Sequence, residues 1–266
     1  TTLNIAVGLF LLSFTLSTFF GTDPYHSFWD NHERMLGLFT VLHYGMLFYI
    51  SSIIFRSWEQ WQTALKVFLI AGSICMIVGI IQVFKPGFML NTDTQRVIST
   101  LGNAVYVGNY GLFLFFNALL LFIREKNLYW RIGIAIMGVL GICGILFSGT
   151  RGSVLGLFIG LGVVLVLCAL FLGKENQRLR MSLASIIGVL CLLVVGIFIF
   201  RNSSIVQKIP AVNRLAATSV QDFMHSSRFI AWKIAIQSWR DRPVFGWGPN
   251  NFFYAFNLHY DPHSLE

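Results

Sequence analysis

Seven apolar runs, each near the length of a bilayer-crossing helix, decide what this chain can fold into. They lie near 3–20, 36–55, 64–84, 104–123, 132–148, 153–172 and 182–200. About 20 apolar helical residues cross the hydrocarbon core, and lipid offers no partner for an unbonded backbone amide. Each run therefore predicts a transmembrane helix, and together they predict an all-α, polytopic transmembrane helix bundle over residues 1–200. The composition agrees, at 56% hydrophobic and 11% charged, where soluble domains carry about a quarter charged residues. Residues 201–266 hold no further span and predict an extracytoplasmic arm.

The net charge of +8 raises nucleic acid as a partner, but its distribution points to a membrane instead. The connectors 56–66, 124–131 and 173–181 carry Arg56, Lys66, Arg124, Lys126, Arg131, Lys174, Arg178 and Arg180. The alternate connectors 21–35, 85–103 and 149–152 carry only Arg34, Lys85, Arg96 and Arg151. Basic residues in short loops favour the cytoplasm, so the first set is predicted inside, and the second set and the arm outside. Cys75, Cys143, Cys168 and Cys191 fall inside spans without metal-ligand spacing and read as small apolar fillers. The chain opens on Thr-Thr with no basic leader or cleavage site, so the first run is not a signal peptide. Its abrupt ends read as those of a fragment that lacks helices on both sides.

Polar residues concentrate on the predicted outer side. The first outer loop, residues 21–35, is acidic and aromatic and holds Asp23, His26, Asp30, His32, Glu33 and Arg34. The second leads through Arg96 to Gly102-Asn103 at the head of the fourth run, which contains Tyr106, Asn109, Tyr110 and Asn117. Asn117 is expected to bond a neighbouring helix, as intramembrane amides do. Arg151 sits in the gap Gly149-Thr150-Arg151-Gly152 between two runs. A guanidinium stays charged there, so it is either a snorkelling cap or a functional group. Gly152, Gly156 and Gly160 place small residues on one face of the helix that follows, and predict close packing.

In the arm, Ser226 or Ser227 can cap a helix of about 228–240 that Asp241-Arg242-Pro243 ends. Phe229, Trp232, Ile236 and Trp239 form an apolar stripe among Arg228, Lys233 and Arg240, a pattern that predicts an amphipathic helix in the membrane interface. A Gly-Trp-Gly-Pro turn at 246–249, an aromatic stretch at 252–256 and Asp261-Pro262-His263 follow.

Soluble-enzyme signatures such as a phosphate loop, HExxH or GxSxG are absent from the sequence. Two arginine forks suit a pyrophosphate, and a histidine beside them can take a proton near neutral pH. Arg96, Arg151, Arg228 and His263 are the candidates. Two rivals remain open at this stage. The loop carboxylates Asp23, Asp30 and Glu33 could supply a base or hold a metal. The spans could instead serve a transporter of a small anion or other solute.

The run Phe147-Ser148-Gly149-Thr150-Arg151-Gly152-Ser153 resembles the SGSRG signature of the O-antigen ligase and O-antigen polymerase family of membrane glycosyltransferases. Arg228 through Ala235 with Pro243-Val244-Phe245-Gly246-Trp247-Gly248 resembles its next segment, and Pro262-His263-Ser264 its histidine motif. Thr150 and Ser264 depart from the commoner Ser and Asn. The resemblance implies a GT-C-like bundle and a metal-independent glycosyltransferase that needs no cofactor, with its active site on the extracytoplasmic side of a bacterial inner membrane. It implies a lipid-linked donor, a glycan on undecaprenyl pyrophosphate, and a glycan, lipid or protein acceptor. It also implies that His263 is the catalytic base and that Arg151 and Arg228 bind the pyrophosphate. Arg34 and Arg96 are expected as substrate contacts, and no metal site is expected.

Overall fold

The computed structural model describes residues 2–32, 34–88, 96–171 and 227–260, with Met181, Ser185, Ile199 and Pro262 as isolated positions. Every regular element among the described residues is helical. In chain order these are α1 (Thr2–Phe20), α2 (Pro24–Trp29), α3 (Leu38–Ile54), α4 (Trp58–Phe84), α5 (Ala104–Arg124), α6 (Leu128–Phe147), α7 (Arg151–Phe171), α8 (Ser227–Asp241) and α9 (Phe252–Leu258). Single 3-10 turns at Pro86–Phe88 and Ser99–Leu101 lie between α4 and α5.

Five helices, α1, α4, α5, α6 and α7, are long and apolar enough to cross a membrane. The 17-residue α3 is apolar but falls at the short limit for a span. The seventh expected run, 182–200, lies outside the described residues except for Ser185 and Ile199, both helical. The chain divides into two compact units, residues 1–57 with 219–266, and residues 58–218.

In the second unit α4, α5 and α6 enclose a core of Leu69, Met76, Val107, Leu114, Ala118, Leu121 and Ile134. Between lipid-embedded helices there is no hydrophobic drive, so close backbone approach has to supply the packing energy. Gly111 and Gly141 show that approach: a Cβ on Gly111 would lie 2.6 Å from the Gly141 carbonyl oxygen. α7 packs on this group through Gly156 and Gly160, which face Leu112 and Phe116 of α5. Gly152, the third member of the expected stripe, faces open space. The polar bond between α5 and α7 also differs from expectation. Ser153 donates to Asn109 Oδ1 at 2.8 Å, whereas no described residue bonds the Asn117 side chain.

The two ends of this unit differ in chemistry. At one end Lys66 pairs with Glu125 at 2.5 Å, and Gln62 donates to the same carboxylate. Lys66 lies over Trp130, Arg124 over Trp58 and Arg131 over Phe122, each within 4.8 Å of the ring centre. Cations over aromatic faces at a helix end suit an interfacial depth. Residues 58–66, expected as connector, are therefore the first turns of α4. Their helix-compatible polar residues are held by Glu125, a partner that sequence alone did not identify. The opposite end carries Arg96, the α6–α7 turn and Arg151.

Candidate functional site

The α6–α7 turn is built by capping chemistry. α6 ends at Ser148, and Gly149 follows at φ +62°, the left-handed geometry that glycine adopts without strain. Thr150 then precedes α7. Its hydroxyl donates to the Ala104 carbonyl at 3.2 Å, which ties the turn to the start of α5. Arg96 closes the arrangement from the loop before α5. Its Nε donates to Ser148 O at 2.9 Å and its Nη2 to Thr150 Oγ1 at 3.0 Å. Val97 N–H adds a bond to Phe147 O. Ser148 and Thr150 are buried while Arg151, the first residue of α7, is exposed. No described residue bonds or pairs with its guanidinium. The buried part of the turn is braced, and Arg151 stands without a partner among the described residues at a helix N-terminus, where amides and dipole favour an anion.

Arg96 was expected to contact substrate. Within the described residues at least two of its nitrogens bond the turn, so it holds Arg151's base in place.

In the other unit the first loop and the arm interlock. Asp23 caps α2 by accepting the His26 N–H at 2.9 Å, and Pro24 sets the first helical turn. Thr22 N–H donates to Trp247 O at 2.9 Å, Ser17 Oγ to Phe245 O at 2.7 Å, and Ser27 Oγ to Pro249 O at 2.9 Å. Phe20 stacks on Phe245. At the centre, fully buried Asn251 donates to Trp247 O, Ser27 Oγ and Asp23 O over 2.9–3.2 Å. Its Oδ1 lies 3.0 Å from His26 Nδ1. The two segments that charge counting puts on one side of the membrane are thus bonded to each other.

These bonds assign the loop carboxylates to structure. Asp23 Oδ2 accepts from Tyr254 OH at 3.3 Å, and Asp30 Oδ2 from Leu36 N–H at 2.9 Å. Burial first, then the Asp23 charge it faces, pushes the Tyr254 phenol upward. Glu33 lies outside the described residues. No cluster of three His, Cys, Asp or Glu able to hold a metal occurs among the described residues.

α8 occupies residues 227–241 as the Ser cap and Pro stop predict, with Arg228 in its first turn. Its packed stripe is Ile230, Ile234 and Ser238. The stripe expected to meet the interface is exposed, with Trp232 at 60%, Ile236 at 57% and Trp239 at 60%. Trp247 Nε1 donates to Ser238 O, and His259 meets Asp241 at 2.6 Å, so the arm closes on itself. Arg34 is exposed after α2. Arg151 and Arg228 belong to different units. His263 lies outside the described residues. Sequence reasoning missed Asn251 and Ser27. The turn-rich run from Gly246 to Asn251 was the signal for Asn251, and Ser27 had only its place in the first loop.

A helix-start turn braced by the half-buried Arg96, among several apolar spans, belongs to a multi-pass helical membrane protein. Residues 136–265 match the model of the Wzy_C family, O-antigen ligase, which supports an O-antigen ligase-like family for this stretch. The matched stretch contains Arg151, Arg228 and position 263. The family implies ligase or glycosyltransferase activity in a membrane setting with a lipid-linked glycan. No curated protein and no solved structure matches the chain.

Proposed function

We propose that this protein is a metal-independent O-antigen ligase-like glycosyltransferase that moves a glycan from undecaprenyl pyrophosphate to an acceptor hydroxyl outside the cytoplasmic membrane. The observation that carries the reading is the braced Ser148–Thr150 turn, which sets Arg151, exposed, at a helix start inside the family-matched stretch. In the reaction an acceptor oxygen attacks the anomeric carbon, the bond from that carbon to the pyrophosphate oxygen breaks, and the acceptor proton passes to His263. Polyprenyl pyrophosphate departs with the bonding electron pair. Arg151 and Arg228 neutralise its growing charge, a preorganised contribution often worth about 3 kcal/mol per donor. The exposed Trp232, Ile236 and Trp239 of α8 suit a helix lying in the interface, with Lys233 and Arg240 toward head groups.

The test is transfer by the purified full chain from a polyprenyl-pyrophosphate glycan to several candidate acceptors. Arg151→Ala and Arg228→Ala should each lower kcat by about 100-fold, and His263→Ala should abolish turnover while leaving donor binding. Normal transfer by His263→Ala sinks that residue's role. Solute uptake by reconstituted vesicles with no glycan transfer would favour a transporter.

A further inference from the structure

The bonds around Asn251 fix which group His26 Nδ1 presents to it. Asn251 Nδ2 lies within reach of the Trp247 and Asp23 carbonyl oxygens and of Ser27 Oγ. Both carbonyls can only accept. Ser27 spends its hydroxyl hydrogen on Pro249 O at 2.9 Å, so toward Asn251 it too presents a lone pair. The amino group must therefore stand on that side, and the carboxamide oxygen faces His26 Nδ1 at 3.0 Å. Two lone pairs cannot share that contact, so Nδ1 carries the hydrogen. In the neutral ring Nε2 is then a lone-pair acceptor.

No described residue bonds that Nε2. The Asp23 carboxylate is spent on the His26 backbone N–H and on Tyr254, not on the ring. His26 is half-buried, and its ring stands nearly perpendicular to Phe253, with centroids 5.5 Å apart. Phe253 is 45% exposed, and Tyr254 packs beside it. An oriented acceptor beside a half-exposed aromatic surface matches a ligand with both hydroxyl donors and apolar C–H faces. A pyranose has both. A metal would need further donors, and no group of three or more His, Cys, Asp or Glu able to hold one occurs among the described residues.

We propose that His26 and Phe253 form a saccharide-binding site, in which His26 Nε2 accepts a sugar hydroxyl and Phe253 supports the ring face. The site stands on these contacts, and the choice of sugar as ligand rests on the glycosyl-transfer reading. It takes the hydroxyl-bearing partner of the reaction, separately from the arginines assigned to pyrophosphate.

The experiment is saturation-transfer NMR on the full chain in lipid nanodiscs. Methyl glycosides of glucose, galactose and N-acetylglucosamine are the probes. His26→Asn puts an amide near the Nδ1 position, which can keep the bond to Asn251 while removing Nε2, so thermal stability should hold. Losing one such bond should weaken binding about fivefold, and Phe253→Leu should also reduce it. Saturation of no probe by the wild type overturns the site, as does undiminished saturation in His26→Asn. The two readings fail differently. A wild type that binds saccharides but transfers no glycan keeps the site and removes the glycosyltransferase. Transfer by His26→Asn with unchanged acceptor KM keeps the enzyme and removes the site.

Discussion

Arg96 donates from Nη2 to Thr150 Oγ1 across 3.0 Å, 54 residues along the chain, and so holds the residue immediately before Arg151. Its Nε bond to Ser148 O fixes the turn at a second point. A planar fork can serve both acceptors at once, and a lysine ammonium can reach only one without losing geometry. Arg96→Ala leaves a buried carbonyl short of a donor, a cost of about 1–3 kcal/mol. A displaced Arg151 should lower glycan transfer by about 100-fold, since misplacement near 1 Å has that effect. Arg96→Lys should restore part of the stability and less of the turnover. Equal kcat for all three proteins, with donor KM unchanged, would show that Arg96 positions nothing.

Five of the seven expected spans were readable because lipid imposes length and polarity on a crossing helix. The motif around Arg151 was readable because its glycine and polar residues interrupt two apolar runs. The bracing by Arg96 was not, since it joins residues 54 apart through a single side chain. The start of α4 was misread for a related reason. Trp58 to Thr63 are polar by hydropathy, but they are helical, and the same end of the unit holds the Lys66 pair with Glu125. On α8 the period and the outward aromatic stripe were readable, and the packed stripe on its other side was not singled out. Ile230 and Ile234 point inward, while the larger aromatic stripe lies outward.

Asn251→Asp tests the interlock of the first loop with the arm by the smallest available change. An aspartate would place a second oxygen against Trp247 O, Asp23 O and Ser27 Oγ, none of which can supply a hydrogen there. The substitution should destabilise the protein by about 2–4 kcal/mol, the range of a lost buried network with an unpaired charge. Thermal unfolding in detergent measures it. An Asn251→Asp variant as stable as the wild type would mean that the amide stands the other way round, with its nitrogen toward His26.

Gly248 closes the same interlock through backbone shape. It lies at φ +92°, where an L side chain is strained, and a Cβ would sit 2.7 Å from Ser27 Oγ and 2.9 Å from Asn251 Nδ2. Gly248→Ala should cost at least about 2 kcal/mol from backbone strain alone, with the contacts around Asn251 displaced as well. Gly133→Ala in α6 meets nothing within 4 Å and is the control. That change should be neutral or stabilising by about 0.5–1 kcal/mol, because alanine is the better helix former. Equal melting temperatures for the two variants would contradict the packing described around Gly248.

Glu125 gives the fold a predictable response to acid. The Lys66 ammonium, bonded to its carboxylate, holds its pKa below the ordinary glutamate value, and the Asn127 N–H adds to the effect. A depressed folded-state pKa means that the unfolded chain takes up the proton first as pH falls. The stabilisation is therefore complete above the unfolded value of about 4.3 and is lost as pH drops through the lower folded value. Glu125→Gln removes the charge while keeping an oxygen for the Asn127 N–H. The wild type should melt above Glu125→Gln at pH 7, with the gap constant down to about pH 5 and closing below about pH 4. High salt should narrow the gap only in part, because the Glu125 side chain is 8% exposed and buried pairs are screened less. A gap that widened on acidification would reverse the sign and remove Lys66 as the partner that sets this carboxylate.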